Sequence, residues 1–69
     1  MNKPLLNSYM ALHEDNQSTL SEGIGISRSR LNAKINGTDG AEFTYSEMSA
    51  IIERYGLSPE QATALFFYK

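Results

Sequence analysis

Apolar residues recur along this chain at helical spacing, in five short clusters separated by polar or glycine-bearing breaks. Leu5, Leu6, Tyr9, Met10, Leu12 and His13 predict a first helix from Pro4 to about Glu14. Its proline sits in the first turn, where a missing N–H costs nothing. Asn16 can cap a second, shorter helix from Gln17 to Gly23 or Ile24, with Leu20 and Ile24 on one face. Gly25 ends it, Ile26 follows as a buried plug, and Ser27 caps a third helix over Arg28–Asn36, closed by Gly37. Thr44-Tyr45-Ser46-Glu47 reads as a capping box opening a fourth helix, with Phe43 stapling onto Met48. Met48, Ile51, Ile52 and Tyr55 form its inward stripe, and Gly56 stops it. Ser58, Pro59 and Gln61 start a fifth helix that carries Ala62, Leu65 and Phe66 inward and runs to the end of the chain. Phe43-Thr44-Tyr45 is the one strand-prone stretch, and the capping box claims it. The expectation is a single all-α domain over residues 1–69, without repeats or linkers.

Sixty-nine residues lie near the lower limit for a core that folds unaided. There is no cysteine, so disulfides and thiolate metal sites are ruled out. The single histidine, His13, is too little for a zinc site, and no metal or cofactor is expected. No apolar run approaches the ~20 residues of a membrane span. Met1 to Asn7 lacks the apolar stretch of a signal peptide, which makes a cytoplasmic location the expectation. Catalysis is not expected either. Glu14 and Asp15 are adjacent on a helix and do not converge, so both read as solvated charges. The serines have no base within an evident triad, and so short a chain has little left to wall a substrate pocket.

The net charge is −2, yet it is unevenly spread. Residues 17–37 carry Arg28, Arg30 and Lys34 against Glu22, a local balance of +2 in an acidic chain. The segment reads as two short helices joined by a tight glycine turn, locked by Leu20, Ile24, Ile26, Leu31 and Ile35, with Ser21 small enough for close approach. The outer face of the second of these helices bears Ser29, Asn32, Ala33 and Asn36, with Arg28 at its N-terminal end. Such short polar groups beside one long donor are poor core material but suit base edges in a major groove about 12 Å wide.

Gln17, Leu20, Gly25, Ile26, Ser27, Leu31, Asn36 and Gly37 fall in register with a pattern that resembles the helix-turn-helix of phage repressors and Cro proteins. The resemblance covers nearly the whole chain and implies a five-helix, lambda-repressor-like domain with the motif at helices two and three. Phe43-Thr44, Glu47 and Phe66-Phe67 look like small phage regulators in particular. Three departures stand out. Ser21 replaces the usual alanine, Gly23 weakens the second helix, and Lys34 occupies a position often apolar, from which its stem packs and its amine reaches out.

The resemblance implies that Arg28, Ser29 and Ala33, with Asn32 beside them, face base edges. Gln17, Ser27 and Asn36, together with Arg30 and Lys34, would then meet phosphates or a partner. Outside the third helix only Lys3, Arg54 and Lys69 add cations. Phe66 reads as core, whereas Phe67 and Tyr68 cannot both point inward and are candidates for a subunit contact. The implied activity is a small regulator of the phage lysis–lysogeny switch in the cytoplasm of a bacterial host, dimeric on operator DNA. The other reading is an anti-repressor or co-repressor that meets a phage repressor protein through the same surface. The acidic total and the scarcity of cations favour the latter; the local charge and motif register favour DNA.

Overall fold

The computed structural model describes residues 1–67. Among them lie five α-helices, α1 (Lys3–Leu12), α2 (Gln17–Ile24), α3 (Arg28–Asn36), α4 (Tyr45–Tyr55) and α5 (Pro59–Phe66), with a 3-10 turn at Thr38–Gly40 and no strand. None is long and apolar enough to cross a membrane.

Each helix contributes one fully buried aliphatic residue to a shared centre: Leu6, Leu20, Leu31, Ile51 and Leu65, all at 0 % exposure. Burying a side chain of this size contributes roughly 1.5–3 kcal/mol, so the five form the core's main stabilising element. Met10, Tyr55 and Leu57 complete it, and Ile24, Ile26, Ile35, Ile52 and Phe66 pack around it half-buried. Ile26 is therefore a partial plug rather than a buried one. Phe43 meets Phe66 edge to face, with ring centroids 5.8 Å apart.

The helix starts follow local chemistry. Asn16 with Thr19, Thr44 with Glu47, and Ser58 with Gln61 each form a reciprocal capping box, and Ser27 accepts the Arg30 N–H. Asn2 caps α1 through the Leu5 N–H and ties the N-terminus to α5 by donating its own N–H to Leu65 O at 2.8 Å.

The first helix differs from expectation at its end. It stops at Leu12 rather than Glu14, because Glu14 takes a left-handed conformation (φ +56°) and the Asp15 N–H returns to Met10 O. Leu12, its last residue, points to solvent at 75 % exposure. His13 is exposed as well, its ring stacked on Tyr55 at 4.8 Å.

Candidate functional site

The α2–turn–α3 unit is built around Gly25, which holds φ +79°. A side chain would be strained there, and the turn lets both the Gly25 and Ile26 N–H groups reach Ser21 O. Ser21 is itself buried and donates its hydroxyl to Ser18 O at 2.9 Å. Three residues after α2 ends, Ser27 starts α3.

The nine-residue α3 has two distinct faces. Leu31 is fully buried, Lys34 is buried, and Ile35 packs half-buried against the core. Arg28, Ser29, Arg30, Asn32 and Asn36 are exposed, Ala33 is half-buried, and the first turn contains no acidic residue. The candidate base-edge residues thus share one accessible face. Ser27 is also exposed, whereas Gln17, at the first position of α2, is half-buried.

Lys34 departs from expectation. Its amine does not reach out; it turns inward and donates to Glu47 Oε1 at 2.5 Å, with 7 % and 10 % of the two side chains exposed. The same oxygen accepts the Thr44 N–H at 2.8 Å. Burial pushes the Glu47 carboxyl up, but the bonds from Lys34 and Thr44 outweigh it and hold it below its usual value. Lys34 is therefore withdrawn from the set of surface cations proposed to meet phosphate or a partner.

Asp15 and Arg54 call for the same correction. Asp15 is not a solvated charge: its side chain is 5 % exposed and accepts four hydrogen bonds. Arg54 donates Nε to Oδ2 (2.8 Å) and Nη2 to Oδ1 (2.7 Å), the Tyr55 hydroxyl donates to Oδ2, and the Thr19 hydroxyl to Oδ1. The Arg54 bonds, then those from Tyr55 and Thr19, hold the Asp15 carboxyl far below the carboxylate range despite burial. Burial, then the neighbouring Asp15, pushes the Tyr55 phenol well up. Arg54 is thus committed to Asp15 rather than free to meet phosphate.

Gly23 explains how Arg54 gets there. A Cβ at this position would collide with the Arg54 guanidinium, so glycine in the last turn of α2 opens the path to Asp15. The glycine that weakens the helix also marks this crossing.

Asn36 is exposed but already engaged. It accepts from Lys3 Nζ at 3.2 Å and donates its amide to Asn32 O and Oδ1, so the far end of α3 is tied to the N-terminal segment. Beside it runs a groove of about 500 Å³ lined by Met1, Ile35, Phe43, Met48, Phe66 and Phe67 among others. Phe67 is 65 % exposed; Tyr68, its companion as a candidate subunit contact, and Lys69 lie outside the described residues. No cluster of three or more metal-ligating side chains occurs among the described residues.

No protein-family model matches the chain, and neither the curated proteins nor the solved structures contain a match.

Proposed function

We propose that this chain is a helix-turn-helix DNA-binding regulator of the phage repressor/Cro type, acting in the cytoplasm of a bacterial host. One observation carries the reading. A short helix is clamped from behind by Leu31 and Lys34 while Arg28, Ser29, Arg30 and Asn32 stand exposed along its other side. Arg28 would pair with guanine O6 and N7, and Ala33 would touch a thymine methyl. Ser27 and the free N–H groups of the first turn would hold phosphate. Dimers would occupy operator half-sites about one helical turn apart and block a promoter.

With Lys34 and Arg54 paired internally, the cations left near this face among the described residues are Arg28, Arg30 and Lys3. Two or three phosphates neutralised per protomer give a salt dependence of about −2 to −3 in log K against log salt. Fluorescence anisotropy on operator-length duplexes from 50 to 200 mM KCl checks this value. Arg28→Ala lowers the slope by about 0.9 if Arg28 meets phosphate and, if it meets guanine, relaxes base preference at one position instead. Absence of binding to any phage operator at 50 mM KCl ends the proposal.

A second reading is favoured by one specific feature. Arg30 and Ala33 share a shallow cleft with Ala41 and the exposed carboxylate Glu42, and an anion beside the recognition face opposes phosphate. A protein partner bearing both charge signs, such as a phage repressor, fits that mixture. In this case the chain shifts no DNA alone but comigrates with the repressor on native gels.

A further inference from the structure

We propose that Lys34 is a positioning residue: through Glu47 it fixes the rotation of α3 against α4, and it makes no contact with the ligand. This rests on the reading above that the outer face of α3 is the binding face.

The inner side of α3 is poor in apolar groups. Over nine residues only Leu31 and Ile35 pack inward besides Lys34. Apolar contacts are non-directional, so so few of them discriminate weakly between neighbouring rotations of a short helix. The Lys34–Glu47 contact is directional and has one partner. Glu47 is in turn held by the Thr44 N–H on the same oxygen. The rotation of α3 is thereby referenced, through one carboxylate, to the backbone at the start of α4. Lys34 lies one turn after Leu31, on the same face. Turning α3 to free its amine would carry Leu31 out of the core and move Arg28, Ser29 and Asn32 from their present setting.

A buried ion pair is weak evidence for stability, since an apolar pair of similar volume often serves as well. What a leucine or methionine at position 34 lacks is a preferred orientation. The role assigned to Lys34 is therefore specification of geometry. Lys34→Met with Glu47→Gln tests it, because methionine replaces the stem and glutamine keeps an acceptor for the Thr44 N–H.

The double variant folds, its affinity for a mixed-sequence 20-base-pair duplex falls roughly fivefold, the lower end of what one base contact contributes, and its salt slope equals that of the unaltered chain. Amide resonances of Ser29 and Asn32 move although neither adjoins position 34 in the sequence. A slope reduced by about 0.9 would show that Lys34 meets phosphate and overturns the proposal. So do unchanged affinity and outer-face resonances that stay still. If the unaltered chain binds no duplex, the DNA reading falls. The proposal is then decided by the resonances alone: movement along the outer face supports it, and changes confined to residues around 34 and 47 sink it.

Discussion

The two ion pairs among the described residues both end on α4, one at each end of the helix, and they are built on opposite plans. Glu47, in the first turn, takes one ammonium from α3 inside the protein, with both side chains at most 10 % exposed. Arg54, in the last turn, reaches over Gly23 to a carboxylate that precedes α2, and keeps 34 % of its side chain in water. The buried pair has few hydrogen bonds and little water; the outer pair has a carboxylate saturated by four donors. Both placements also suit the α4 dipole, acid at the N-terminus and base at the C-terminus. Burial, rather than the number of bonds, should decide which pair is costlier to halve. A lone Arg54 at the outer site can rehydrate, and a lone charge at the inner site cannot.

The largest expected effect is therefore that of Lys34→Met alone. It leaves the Glu47 carboxylate buried without its counter-ion, at a cost of about 3–5 kcal/mol. A domain of this size has only roughly 3–5 kcal/mol of net stability to lose, so urea melts at pH 7 should find the variant largely unfolded. Adding Glu47→Gln should restore most of the loss. The pH dependence gives the sharper discrimination. In the unaltered chain the Glu47 carboxyl is held below its unfolded value, so its stabilisation is present above that value and is lost as pH falls through the folded one. In Lys34→Met the carboxyl loses the Lys34 bond and keeps the burial that pushes it up, so the loss of stability in acid that it causes should shrink or reverse. The same acid response in both chains would mean that the pair is not buried as described.

Asp15→Asn ranks second. The amide keeps one acceptor oxygen, while Arg54, Tyr55 and Thr19 lose their charged partner; a loss of about 1.5–3 kcal/mol is expected for hydrogen bonds to a charged group. A measured loss equal to that of Lys34→Met would break the comparison, because it would rank bond count above burial.

Gly23→Ala comes third, and it separates propensity from the crossing. Alanine is better than glycine by at most about 0.8–1 kcal/mol, the value for a helix interior, and at this next-to-last position of α2 its Cβ displaces the Arg54 guanidinium. The arginine end is flexible, so the cost is the loss of the Asp15 contacts rather than a rigid clash. The substitution should gain little or lose stability in the unaltered chain, and should stabilise by at most about 1 kcal/mol once Arg54→Ala has removed the obstacle. Equal effects in the two backgrounds would place Arg54 elsewhere in solution.

What was readable in the sequence divides along the same line as these interactions. The bounds of α3, the turn at Gly25 and the capping boxes at Thr44 and Ser58 are all set by residues within about four positions, and they were legible. The end of α1 was not, since Glu14 enters the left-handed region without being glycine or asparagine. Neither ion pair was legible: Lys34 and Glu47 lie 13 positions apart, Asp15 and Arg54 lie 39 apart. Their meeting depends on how the helices cross, which no local period encodes. Glu47 could be recognised as a cap but not as a counter-ion. Two signals pointed to these sites without resolving them: a lysine where an apolar residue was expected, and a glycine inside the last turn of a helix. Arg28, Ser29 and Asn32 were legible as an outer face because the apolar spacing of Leu31 and Ile35 defines the inner one.

The smallest effect is the response of the two pairs to salt, and it bears most directly on the comparison. Raising ionic strength from 0.15 M to 1 M shortens the screening length from about 8 Å to about 3 Å. Screening acts through solvent, so it should reach Arg54, a third of whose side chain is in water, and largely miss Lys34. The penalty of Asp15→Asn should accordingly shrink by a few tenths of a kcal/mol, the scale of exposed pairs. The coupling energy between Lys34→Met and Glu47→Gln, from urea melts of the four chains, should not change over the same range. If that coupling fell as much as the Asp15 penalty, water would have access to the inner pair. Lys34 would then be able to reach the surface of α3, and its charge would have to be counted among those that meet a ligand.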